Sequence, residues 1–446
     1  MQLENWTRAS ASDMGRAIRA GTLCPVELTE ACLDAIAAHP DGTRIFARLT
    51  RARALDAAMA ARGRARAGLS RGPLDGVPVS WKDLFDTAGV ATEAGTALLQ
   101  GRVPDTDAAV LTAMTQAGTI CLGKTHMTEF AYSGLGLNPV TATPPCINDQ
   151  DAVPGGSSSG AAASVAFGLA ALAIGSDTGG SVRIPAAWND LVGLKTTAGR
   201  LSLAGVVPLA PKFDTVGPLA RSVEDCAHVL AAMEARPTPD LRGAQLSGCR
   251  LLVLEGAPFD DIRDAPSRGF AQAVDRLAQA GAQISRATLA PVEEALALSG
   301  IIYTPECYAQ WRHLVDDRPE VMFAPILERF RLGREYLACD YLSAWDALMR
   351  HRAAYLAQTA GFDAVLLPTA PNLPPNARRL REDHAYFTTE NLLTLRNTRI
   401  ANMLGLCALT LPTGLPSVGI TLMAAPLAED RLLRLGAAAE QALADG

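Results

Sequence analysis

Apolar positions recur first at helical spacing and then in short runs the length of strands. Residues 1 to about 68 read as helices: Ser12-Asp13 can cap DMGRAIRA, Pro25 opens VELTEACLDAIAAH, and RARALDAAMAARGRARAG is long, alanine-rich and basic. Gly72-Pro73 ends this layer. From Leu74 to about Gly205 strands alternate with helices, with VPVSWK and TICLGK as strands. Ala161 to Ala173 is small and apolar enough for a buried helix followed by a short strand. Residues 206 to 300 hold a further strand, helix and returning strand in CRLLVLEG, SRGFAQAVDRLAQAG and AQISRATL. The pattern then predicts helices over 301 to 360, a strand in FDAVLLPTAP, and an irregular Pro-rich loop in PNLPPNARRLREDHAYFTT that overhangs the site. LCALTLPTG and SVGITLMAAP form a strand pair before a terminal helix. Together these elements predict an α/β fold with a central mixed β-sheet flanked by helices on both faces.

Composition narrows the function classes. The 446 residues are 49% hydrophobic and 19% charged, which is globular, and the net charge of −6 offers no electrostatic footprint for nucleic acid. Nine cysteines, odd in number and without a CxxC pair, argue against a disulfide framework or a zinc site and for buried thiols in a reducing, cytoplasmic setting. MQLENWTRAS lacks the pattern of a secretory leader, and no long apolar stretch suits a membrane span. Neither export nor membrane insertion is expected. There is no internal repeat.

Chemistry concentrates in Gly155 to Ser181, GGSSSGAAASVAFGLAALAIGSDTGGS, where two serine clusters each follow paired glycines. Paired glycines let main-chain N–H groups converge on one point, which suits an oxyanion. The stretch lacks a base, and Lys82, a lone lysine ending the apolar run GVPVSWK, is the candidate. Two motif matches compete. Gly118 to Thr125, GTICLGKT, fits the phosphate-loop pattern, but Thr119 to Leu122 are strand formers where that loop needs a flexible turn. Gly156 to Gly160 fits the G-x-S-x-G elbow with Ser158 as nucleophile, but the elbow needs an acid and a histidine downstream. His228, His313, His351 and His384 carry no local signature for that role.

DGVPVSWKDLFD, PGGSSSG and GSDTGGSVRIPAA, in that order and with a 24-residue step from Ser157 to Ser181, resemble the amidase signature family of serine amidohydrolases. The resemblance extends through LGKTHMTEFAYSGLGLNP, DLVGLKTTAGRLS and FDAVLLPTAP, so it covers the chain and implies the amidase signature fold. A single domain over 1–446 is expected, with a helical layer to 68, a catalytic core over 69–205, and the remaining sheet and pocket cover over 206–446. The resemblance implies Ser181 as nucleophile, Ser157 on a cis peptide as proton carrier and Lys82 as base. Neutral Lys82 would be favoured by burial among groups such as Trp81 and Leu84. It further implies an oxyanion hole of N–H groups from Thr178, Gly179, Gly180 and Ser181, and a supporting Asp177–Arg183 pair. Arg183 gripping an anionic substrate is the alternative. Ser158 and Ser159 are left to stabilise the turn. Neither cofactor nor metal is expected.

Substrate contacts are expected from Phe130, Ala131 and Tyr132, by resemblance. In the glutamine-hydrolysing A subunits of tRNA-dependent amidotransferases a C-terminal acid recognises the glutamine amine. Here ENLLTLRNTRIANMLGLC offers Arg396 and Arg399 and no acid after Glu390. Arg396, with Arg329 in LERFRLG, suits a carboxylate or ureido group on a small-molecule amide; pairing with Glu328, Asp340 or Asp383 is the opposing reading. The glutamine-hydrolysing role within an amidotransferase and a non-catalytic binding scaffold stand as alternatives. The partners left open are a second copy of the chain and a small accessory subunit.

Overall fold

The computed structural model describes residues 3–444, so the outermost two residues at each end of the expected 1–446 domain lie outside it. Its strands are β1 (Phe46–Leu49), β2 (Pro78–Lys82), β3 (Ile120–Thr125), β4 (Leu172–Ser176), β5 (Val192–Lys195), β6 (Val216–Ala220), β7 (Arg250–Leu254), β8 (Gln283–Ala287), β9 (Ala364–Pro368), β10 (Cys407–Pro412) and β11 (Gly419–Ala424). They join one 11-stranded sheet in the order β1-β3-β2-β4-β6-β5-β10-β11-β9-β7-β8. β2 pairs parallel with β3 and β4, and β7 parallel with β8 and β9; the other pairings are antiparallel. This is the mixed sheet the pattern predicts.

The inner strands β2 to β6 are buried along their whole length, because helices cover both faces. The helix Arg183–Trp188 packs on β5 and β10 from one side. Val223–Met233 and Glu429–Ala444, packed on each other, meet the same strands from the other. At the far edge β8 is largely exposed, so the core lies toward β4, β6 and β5. No helix among the described residues is long and apolar enough to cross a membrane.

Three local expectations change. Ser10, not Ser12, caps the helix Ala11–Arg19, accepting from Asp13 N at 3.0 Å; Ser12 lies inside that helix and donates to Asp225 at 2.6 Å. The helical layer contains β1, whose alternation is too short to see in sequence and which pairs with β3. GTICLGKT, by contrast, is mostly β3 as expected, six consecutive buried strand residues with no turn to cradle a phosphate. The Pro-rich segment is irregular only at its start. Asn376 caps Ala377–Glu382, and Asp383 caps His384–Met403 by accepting from Tyr386 N at 2.9 Å. Capping outweighs the charged composition that reads as loop.

Candidate active site

Parallel pairing of β2 with β4 sets Trp81 beside Ile174, which brings Lys82 and Ser176, the last residues of the two strands, to the same end of the sheet. Lys82 is completely buried. Its Nζ lies 2.7 Å from Ser157 Oγ and 2.8 Å from Ser176 Oγ. Burial pushes the ammonium's pKa down to about 7, against the opposing pull of Asp177 and Asp214. Trp81 and Leu84 are buried beside it, as expected. Ser176 escaped the sequence reading. The only signal was a hydroxyl closing the apolar strand LAIGS, and its meaning depends on knowing the strand pairing.

Ser157 follows a cis peptide at Gly156–Ser157, where the resemblance places one. A side chain on Gly156 would lie 2.6 Å from Gly136 N, so only glycine fits. The next residue, Ser158, donates its N–H to the Ser181 carbonyl at 3.2 Å, which joins the two serine loops. Its own hydroxyl donates to the Ser176 carbonyl at 3.2 Å, and Ser159 Oγ donates to the His126 carbonyl at 3.3 Å. Ser158 is thus fixed against β4, and none of the four downstream histidines lines the cavity where Ser181 lies. The elbow reading has no geometry behind it.

The loop from Asp177 to Ser181 is anchored by its carbonyls. Asp177 O accepts from Thr215 Oγ1 at 2.7 Å, Thr178 O from Tyr303 OH at 2.8 Å, and Gly179 O from Thr398 Oγ1 at 2.7 Å. Gly180 O accepts from Ile184 N at 2.8 Å. The N–H groups of Thr178, Gly179 and Ser181 have no acceptor among the described residues, whereas Gly180 N–H donates to Asp177 Oδ1 at 2.8 Å. The expectation for Gly180 is therefore corrected: its N–H is committed to the carboxylate, because that carboxylate curls back over its own loop. Asp177 and Arg183 are both fully buried, with Nε to Oδ2 and Nη2 to Oδ1 each at 3.0 Å. Burial opposes the Asp177 carboxylate, but Arg183 and Asn402 hold its pKa down at about 2. Arg183 is spent inside the protein and does not reach the cavity.

That cavity, about 230 Å³, is walled by Ala131, Tyr132, Ser181, Tyr303, Arg329 and Arg399 among others. It has room for a small molecule rather than a polypeptide. Phe130 does not line it. It sits behind the wall, packed on Trp311 at 4.7 Å and Phe330 at 5.6 Å between centroids. Arg396 does not line it either, and reaches Pro258 O at 3.3 Å instead. One residue turns a helix by about 100°, so Leu395 and Arg399, four apart, face the cavity while Arg396 turns away.

Neither Arg329 nor Arg399 forms an ion pair with a carboxylate among the described residues, Glu328, Asp340 and Asp383 included. Arg329 donates to Tyr132 O at 2.6 Å with its guanidinium 4.2 Å from the Tyr132 ring centre. Among the described residues Arg399 hydrogen-bonds Ser299 Oγ, at 3.4 Å, and its guanidinium lies 5.9 Å from the Tyr303 ring centre; burial and the Arg329 charge lower its pKa to about 10, so it stays cationic at neutral pH. Among the described residues no Asp or Glu lines the cavity. Glu390 is buried in a pair with Arg263 and a bond from Asn372 Nδ2 at 2.8 Å. The sequence reading also missed Asn391. Its Oδ1 accepts from Ser133 Oγ and Gly134 N, both at 2.9 Å, which fixes the amide of this cavity-lining residue; Nδ2 has no acceptor among the described residues.

Comparisons with known proteins place the chain in a family. A family model described as Amidase matches residues 27–433. The 2-amino-5-chloromuconic acid deaminase of Comamonas testosteroni is 34% identical over 99% of this chain and 98% of its own. The A subunit of the glutamyl-tRNA(Gln) amidotransferase of Acidothermus cellulolyticus is 34% identical over 98% of this chain and 94% of its own. Among solved structures, the peptide amidase of Stenotrophomonas maltophilia superposes with a TM-score of 0.82 at 28% identity, covering 98% of this chain and 97% of its own.

Proposed function

Because this chain belongs to the amidase family and is therefore an amide hydrolase, we propose that it cleaves a small-molecule amide bearing a carboxylate, through an acyl-enzyme on Ser181. The observation that carries the catalytic part is the buried Lys82 amine, 2.7 Å from Ser157 Oγ, with its pKa lowered to about 7. A neutral amine there accepts the Ser157 proton while Ser157 takes the proton of Ser181. Ser181 Oγ bonds to the amide carbon, and the oxyanion meets the free N–H groups of Thr178, Gly179 and Ser181. Each such donor is worth roughly 3 kcal/mol in the transition state. The proton then returns through Ser157 to the leaving nitrogen as the C–N bond breaks. Water, deprotonated along the same path, attacks the ester and frees the acid.

The substrate class rests on two half-buried guanidinium groups, Arg329 and Arg399, facing a cavity that no carboxylate among the described residues lines. Such a pocket favours an anion and offers nothing to a substrate ammonium. That distinguishes it from the recognition expected of a glutamine-hydrolysing amidotransferase. The Comamonas testosteroni relative is named for a substrate that is itself a carboxylic acid.

The nucleophile is tested by mass spectrometry after reaction with an active-site phosphonate, using wild type, S181A and K82A. An adduct on Ser181 is expected, absent in S181A and formed roughly 10²–10⁴-fold more slowly in K82A at neutral pH. An adduct on Ser158, or none on a folded protein, overturns the reading.

A further inference from the structure

Peptide groups are planar, so a carbonyl held on one side fixes the next residue's N–H on the other. Within the loop from Asp177 to Ser181 the anchors differ in kind. Asp177 O is gripped by Thr215 N as well as its hydroxyl, and Gly180 O accepts the first main-chain bond of the helix Arg183–Trp188. Secondary structure therefore sets the Thr178 and Ser181 N–H groups. The two peptides between them have no main-chain support. Among the described residues Thr178 O is held by Tyr303 OH, and Gly179 O by Thr398 Oγ1, the latter peptide being tied also through Gly180 N–H to Asp177 Oδ1. Both run into glycine, which rotates to alternative conformations at little cost.

We infer that the hydroxyls of Tyr303 and Thr398 are the positioning groups of the oxyanion loop, with Tyr303 setting the direction of the Gly179 N–H. Tyr303 suits the task. Its ring is packed against Phe213 at 4.4 Å between centroids, which fixes where the hydroxyl points. Burial raises its pKa well above the ordinary range, so it remains a donor wherever the enzyme works. Thr398 Oγ1 lies so close to the loop that a side chain on Gly180 would be 2.0 Å from it, which keeps that position glycine. Tyr303 also belongs to the helix Ser299–Asp317, whose Ser299, Gly300 and Thr304 line the cavity. The same helix that walls the substrate pocket thus braces the loop that stabilises charge on the substrate. Sequence reading assigned Tyr303 no role.

This inference rests on Ser181 being the nucleophile. The experiment compares wild type, Y303F and T398V, with S181A as control. It measures kcat and KM on an anionic primary amide, the affinity of the corresponding aldehyde, which forms a tetrahedral adduct on serine, and the affinity of the product carboxylate. Y303F and T398V are expected to lower kcat and aldehyde affinity together, by about 10- to 100-fold, with KM and product affinity unchanged. In glycine-labelled protein, the Gly179 amide resonance is expected to shift in Y303F while that of Gly175 stays in place. Wild-type kcat and aldehyde affinity in both variants would overturn the inference, as would equal losses of aldehyde and product affinity, which mean a reshaped pocket. If Y303F does not fold, T398V decides on the same criteria. An aldehyde that binds S181A as well as wild type would sink the nucleophile assignment itself, a separate failure.

Discussion

Three buried lysines, Lys82, Lys124 and Lys195, show how partners decide what an amine can do. Lys124 faces Asp83 at 3.2 Å, which favours the ammonium. Lys195 donates to the Thr196 and Leu406 carbonyls at 2.9 and 2.7 Å, acceptors that a proton-accepting nitrogen cannot use in reverse. Lys82 meets two serine hydroxyls, which can donate as well as accept. Burial dominates its titration, so the neutral form grows as pH rises through about 7. The sign follows: kcat/KM should rise about tenfold per pH unit on the acid side and level off above the pKa. K82R should lose activity throughout, since arginine stays charged. A flat wild-type profile between roughly pH 5.5 and 8.5 would remove Lys82 from the role of base. Residue types at this site were legible because a serine cluster, a glycine pair and a lone lysine are chemically distinctive. Ser176 and Asn391 were not, since an ordinary Ser or Asn acquires meaning only from the strand or loop that turns toward it.

At the level of elements, the 24-residue step from Ser157 to Ser181 is a helix out, Ser159–Ala166, and a strand back, β4. Small residues permit the close packing this requires, so the step was readable. The helix His384–Met403 was not readable at its start, because Asp383 caps it within a charged, Pro-led segment. Its faces divide the labour. Asn402 and the Thr398 carbonyl hold Arg183 at 2.6 and 2.8 Å, while Asn391, Leu395 and Arg399 face the cavity. Rotation about this helix is what exchanges Arg396 for Arg399, and composition contains no trace of it. Replacing Arg399 with methionine keeps the length and removes the charge. R399M should raise KM for carboxylate-bearing amides by roughly 10- to 100-fold, the worth of a charged hydrogen bond, and leave neutral amides unaffected. Equal effects on both classes, measured by steady-state kinetics, would refute the anion pocket.

Across the whole molecule, the site draws on parts of the chain far apart in sequence. Lys82 and both serines come from the first half, whereas Tyr303, Arg329, Asn391 and Arg399 come from the second. The halves meet through β5 and β10, where Leu194 pairs with Leu409, and through Arg183, whose partners include Asn402. The strand-helix-strand unit of β7 and β8 looks separable in sequence, yet β7 continues the sheet through β9. If the second half opened, Arg183 would lose Asn402 and the Thr398 carbonyl, and Gly179 O its partner Thr398 Oγ1. Breaking a buried pair's surroundings is costly, and on that ground we propose that the catalytic half is not stable alone. The protein should therefore unfold in one calorimetric transition, with activity, far-ultraviolet dichroism and tryptophan fluorescence lost together. Two transitions, with turnover surviving the first, would mean that the β7 and β8 unit is a domain in its own right and that the continuous sheet does not transmit stability to the site.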